Sequence, residues 1–147
     1  MWKSTTSDRL EKWKTFRQQI DQLDIEQALA EVANFWSTAP FTPYYLDYDR
    51  PEDWPDPWTL IAENYYCDLA KALGILYTLH LSTHKVELTM CIMRNKKDRS
   101  QYNLVFIDNG KYVLNLESGE VVNKNSIPED LVLVVEYNNA SMRLDRF

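Results

Sequence analysis

The chain has 147 residues, a formal net charge of −6 and an apolar share of 45%, of which aromatics are a large part at 13% of all residues. That length predicts one domain able to bury a core, and the mixed charge argues against low-complexity disorder. The acidic balance excludes nucleic acid as the main partner, because phosphate neutralisation needs a concentrated basic face; the short run "RNKKDR" at 94–99 reads as a solvated loop.

Two amphipathic helices are expected first, over 1–36. Ser7 or Asp8 caps one that carries Trp13, Phe16, Ile20 and Leu23 at three- and four-residue steps. Asp24 caps the next, with Ala28, Leu29, Val32, Phe35 and Trp36 on one side. Residues 37–55, "STAPFTPYYLDYDRPEDWP", are interrupted by prolines and predict an ordered loop rich in Tyr and Asp. Asp56-Pro57 is a strong helix start. From it Trp58, Ile61, Ala62, Tyr65, Leu69, Ala72 and Leu73 trace a stripe that stops at Gly74 and makes Trp58 a core residue.

After Gly74 the period becomes two. Ile75 to Leu81 and Val86 to Ile92 read as a hairpin turning at Thr83-His84, with His80 facing Glu87 and Cys91 facing Leu76. Asn109-Gly110 is a strong tight-turn signal, and it pairs Asp108 with Lys111 and Leu104 with Asn115. "SGEVV" and "DLVLVVEY" supply two further strands. The expected class is α+β: N-terminal helices followed by an antiparallel meander, with 56–147 forming the helix-plus-sheet part of a single 1–147 domain.

No apolar run reaches the roughly 18 residues of a membrane span, and the opening "MWKSTTSDRLEKWK" lacks a signal-peptide core. A reducing interior is therefore expected, with Cys67 and Cys91 as free thiols and no secretion. No CxxC, HExxH, Gly-rich phosphate loop or GxSxG occurs, so neither a metal nor a cofactor is expected. The pairs Asp47/Asp49 and Glu52/Asp53 lack the spacing of a Ca²⁺ loop and read as solvated.

The segment "CDLAKALGI" at 67–75, followed by "YNLVFI" at 102–107 and "KYVLNL" at 111–116, resembles the transglutaminase-like branch of the papain-type cysteine enzymes. The resemblance covers about residues 56–122 and implies a cysteine opening a helix, a histidine on one strand and an aspartate on the next. Cys67 then takes the nucleophile position, Tyr102 the histidine position and Asn115 the aspartate position. Asparagine still orients an imidazole, but phenol is too weak a base near neutral pH to replace one. The triad is degenerate. A helix running from Asp56 would also bury Cys67 about three turns in, away from free N–H groups, unless it breaks near Asn64. Cys67 is therefore expected to be an inert apolar residue.

Tyr44, Tyr45, Tyr48 and Trp54, interleaved with Asp and Pro, are the expected partner-binding residues, since Tyr and Trp dominate protein interfaces. The short acidic chain, with "DWPDPWTLIAENYYC" and a terse carboxyl end, also resembles small proteins of tailed bacteriophages. That resemblance implies a virion structural or assembly role, located in the virion or host cytoplasm, with other protein chains as partners. The functional expectation is a non-catalytic interaction or assembly protein. The alternatives are a cysteine hydrolase or acyltransferase using Cys67, and a small acidic inhibitor or binding protein of unrelated fold.

Overall fold

Thr5 accepts the Asp8 N–H and opens α1 (Thr6–Ile20), two or three residues earlier than the expected cap at Ser7 or Asp8; Asp24 caps α2 (Ile25–Ser37) as expected. The computed structural model describes residues 1–43 and 45–147. Asp56 caps α3 (Pro57–Glu63), with Pro57 in the first turn. The helix then breaks. Asn64 adopts a left-handed conformation (φ 59°), which asparagine tolerates better than most residues. Arg9, buried on α1, donates from Nε to Ile61 O (3.2 Å) and from Nη2 to Ala62 O (2.9 Å), so the last carbonyls of α3 find partners away from any continuing helix.

Residues 65–67 run beside the start of the long loop. Tyr66 N–H donates to Pro40 O, Thr42 N–H to Tyr66 O, and Tyr66 OH to Leu60 O. A new helix, α4 (Asp68–His80), starts at Cys67 and passes straight through Gly74. This corrects the expected stop at Gly74 and the strand over Ile75–Leu81. All residues from Leu69 to Leu79 except Lys71 are buried. A helix enclosed on every side shows no single apolar stripe, so "GILYTL" imitates a strand's alternation. Gly74 is required by packing instead: a Cβ there would sit 2.4 Å from the Trp36 ring.

The sheet follows: β1 (Leu88–Asn95), β2 (Gln101–Ile107), β3 (Tyr112–Leu114), β4 (Val121–Val122) and β5 (Leu131–Tyr137), all pairs antiparallel, in the order β4-β3-β2-β1-β5. The protein is α+β. Four strands form a meander, and β5 returns to the far edge beside β1. The hairpin expected at Thr83-His84 is absent, since its first strand is α4; Cys91 instead pairs with Leu104. The Asn109-Gly110 hairpin has the expected register, with Ile107 opposite Tyr112 and positive φ at Asn109 (58°) and Gly110 (87°).

α4 packs on the inner face of β1 and β2, with α2 against it. Thr78 ties these helices together. Its hydroxyl accepts the indole N–H of Trp13 and of Trp36 (3.0 Å each) and donates to Gly74 O (2.7 Å). The inner core includes Met90, Ile92, Val105, Ile107 and Leu114; a separate cluster of Cys91, Leu104 and Val113, edged by Met93, Tyr102 and Phe106, covers the outer face.

Candidate functional site around Cys67

Cys67 is the N-cap of α4, and its Sγ accepts the Ala70 N–H at 3.4 Å. The expectation of a mid-helix cysteine is thus overturned by the break at Asn64. The thiol is 6% exposed. It lines a cleft of about 280 Å³ with Phe41, Pro43, Leu46, Asp68, Gln101 and Asn103. Its lining includes one strongly exposed aromatic, Phe41 (65%).

The next residue, Asp68, anchors a network of amides. Asn103 Nδ2 donates to Asp68 Oδ2 (2.8 Å), and Gln101 Nε2 donates to Asn103 Oδ1 (2.7 Å). Asn115 Nδ2 reaches both Asp68 oxygens at 3.3 Å and Asn103 O at 2.9 Å. Crowding against β2 and β3 raises the Asp68 carboxyl pKa, while the Asn103 and Asn115 amides and nearby Lys71 pull it down; the rise prevails. By surface area Asp68 stays open to solvent, so the upward push is weaker than the crowding alone would give.

The expected pairing of Tyr102 with Asn115 does not occur. Tyr102 points to the outer face with Leu104, away from α4. Asn115 lies opposite Leu104 in the extended register, yet its positive φ (73°) turns its side chain toward the inner face and Asp68. The side chain that faces the Cys67 end of α4 from β2 is Asn103, 2% exposed. It was missed because both faces of β2 are apolar: Leu104 and Phe106 on one side match Val105 and Ile107 on the other. Asp68 and Gln101 carried no signal beyond polarity.

Neither histidine approaches Cys67. His80 ends α4, roughly 20 Å away at 1.5 Å per residue, and with Glu87 and Glu136 it lines a different cleft. His84 Nε2 lies 2.8 Å from Ile20 O, beyond the C-terminus of α1. Burial, with Glu136 adding to it, pushes the Cys91 thiol up to about 12.

Of the expected aromatic anchors, Tyr45, Tyr48 and Trp54 pack against the core. Trp54 is 6% exposed, donates to Asp47 O (2.8 Å) and packs edge-on against Tyr137. Its indole is satisfied inside the loop, which corrects its assignment to a partner surface. Tyr45 and Tyr48 are half-buried against the core, and Tyr48 O accepts the Tyr137 hydroxyl (2.9 Å). Tyr44 lies outside the described residues. Trp58, expected in the core, is 45% exposed and touches Phe147, because the break at Asn64 rotates the α3 stripe out of line with α4. Arg50 holds Asp53 (2.6 Å) and Glu52 (3.9 Å) at the loop surface.

Among the described residues, no group of three or more His, Cys, Asp and Glu side chains is placed to hold a metal ion, and no helix is long and apolar enough to cross a membrane. In comparison with known proteins, no family model and no curated sequence matches the chain.

Proposed function

We propose that this chain is a non-catalytic protein-interaction module built on a cysteine-enzyme-like arrangement. The observation that carries the reading concerns the general base. The cleft that Cys67 lines holds Asn103, an amide locked to Asp68 and Gln101, and, among the described residues, no imidazole. An amide neither takes the thiol proton nor returns it to a leaving group. What remains is a cleft lined by the exposed Phe41 with Pro43 and Leu46, a composition that suits a docking surface. An assembly role in a tailed-phage virion, implied by the sequence resemblance, is the specific form of this reading.

One observation favours a second reading, acyl transfer by Cys67: the thiol does sit at the N-cap of α4, where helix N–H groups stabilise a thiolate. The two readings separate in the organism that encodes the chain. Cys67→Ala leaves the biological role intact if the protein is a docking module, whereas Phe41→Ala abolishes it. Loss of the role in Cys67→Ala, with the fold intact, would establish the enzyme instead.

A further inference from the structure

A cleft of about 760 Å³, separate from that of Cys67, opens where the chain ahead of α1 meets the break at Asn64; its lining includes Trp2, Lys3, Arg9, Thr38, Pro40 and Asn64. In a chain of net charge −6, the charged side chains of this lining are Lys3 and Arg9, and no carboxylate joins them. Arg9 is only 7% exposed. Its guanidinium donates to Ile61 O, Ala62 O, Ser4 O and the Thr6 hydroxyl, all uncharged acceptors. These four bonds leave one N–H of Nη1 without a partner among the described residues. The ion pairs there are Arg50 with Glu52 and Asp53, and Lys97 with Asp130. Glu63 neither pairs with Arg9 nor lines the cleft. Asn64 presents a second unmet group. Its Nδ2 donates to Trp2 O (2.9 Å), which fixes the orientation of the amide and leaves Oδ1 buried with no donor. A buried acceptor left unpaired costs free energy that a ligand recovers. The wall beside these groups is preformed: the Trp2 indole donates to the Thr38 hydroxyl (2.8 Å) and packs edge-on against Phe35 and Tyr66.

We propose that this cleft captures the free carboxyl end of a partner polypeptide. The site has an uncompensated cation and an unpaired acceptor, and one terminal residue meets both. Its carboxylate takes the spare N–H of Arg9 Nη1 and the Lys3 ammonium, in charge-assisted bonds. Its own backbone N–H, on the adjacent carbon, donates to Asn64 Oδ1. An inorganic anion meets the first need and leaves the second unmet. An apolar last side chain lies against the Trp2 indole and Pro40. Capture of a terminal carboxylate is an established mode of peptide recognition. This goes beyond the Cys67 cleft and stands whether or not that cleft is a docking surface.

Titration of the full chain with N-acetyl-alanyl-leucine, followed by calorimetry and by the indole N–H resonance of Trp2, tests the proposal. Saturable binding that weakens with salt is expected. Amidating the carboxyl end weakens it roughly tenfold or more. An ester in place of the last amide link removes the N–H donor and weakens binding as well. Lys3→Glu has the same effect as amidation with an unchanged circular dichroism spectrum, because Lys3 is exposed. The proposal is overturned by the lack of saturable binding, by an amidated peptide that binds equally, or by full binding to Lys3→Glu. Acetate or phosphate binding as tightly as the peptide overturns it in favour of a simple anion site. Tighter binding of free leucine overturns it in favour of a free amino acid. Undiminished binding of the ester overturns the part assigned to Asn64.

Discussion

Asn103 on β2 donates its amide to Asp68 on α4 at 2.8 Å, and both side chains line the cleft that holds Cys67. The bond also has a thermodynamic consequence. Crowding raises the folded-state pKa of Asp68 above its ordinary value of 3.8, despite the amides and Lys71. The folded state therefore holds the proton more tightly than the unfolded chain. Stability from this group is greatest below the unfolded pKa and falls as pH rises through the folded one. Denaturant melts of the wild type and Asp68→Asn across that window test the sign: the wild type's stability relative to the variant should decline with rising pH. A difference that grows with pH would contradict it.

Thr78 serves two buried indoles, so its hydroxyl matters more than its methyl. Thr78→Val keeps the shape but leaves the Trp13 and Trp36 N–H groups unsatisfied. The expected loss is about 2 kcal/mol or more by chemical denaturation. Thr78→Ser, which keeps the acceptor, should recover most of it.

Gly74→Ala tests why a glycine interrupts the most buried helix. An alanine there favours helix formation by about 1 kcal/mol, yet its Cβ would press on Trp36 at 2.4 Å. Overpacking should win, for a net destabilisation of about 1–3 kcal/mol. A stabilised variant would show that the Trp36 ring moves freely.

The two tryptophans whose roles are exchanged relative to the sequence expectation give a paired test. Trp54→Ala should cost about 3–5 kcal/mol, as a buried aromatic does. Trp58→Ala, at an exposed site, should shift the melting temperature little. Equal losses at both positions would contradict the placement of the break at Asn64.

How far the sequence could be read depended on whether an element had two unlike faces. α2 has one apolar side, and its cap and buried residues follow from the pattern. The Asn109-Gly110 turn dictates its own backbone, so the register around it follows as well. α4 has no polar side, so its second half reads as a strand. That misreading also placed His80 beside Glu87 in a hairpin that does not exist. β2 is apolar on both faces, so its pattern gave no sign that Asn103 rather than Tyr102 faces α4. Asn64 and Asn115 adopt left-handed conformations that redirect the chain and a side chain at the site. Asparagine permits that conformation without requiring it, so neither position is legible in advance.

The central claim is that Cys67 caps a helix without acting as a nucleophile, and its reactivity tests this most directly. Iodoacetamide labelling of the native chain, followed residue by residue by mass spectrometry, should show Cys67 reacting at pH 6 no faster than free cysteine. Cys91, held protonated by burial, should not react until the protein unfolds. Rapid labelling of Cys67 at pH 6, abolished by Asn103→Ala or Asp68→Ala in a folded variant, would contradict the account. It would show that the amide network activates the thiol and that the cleft belongs to an enzyme.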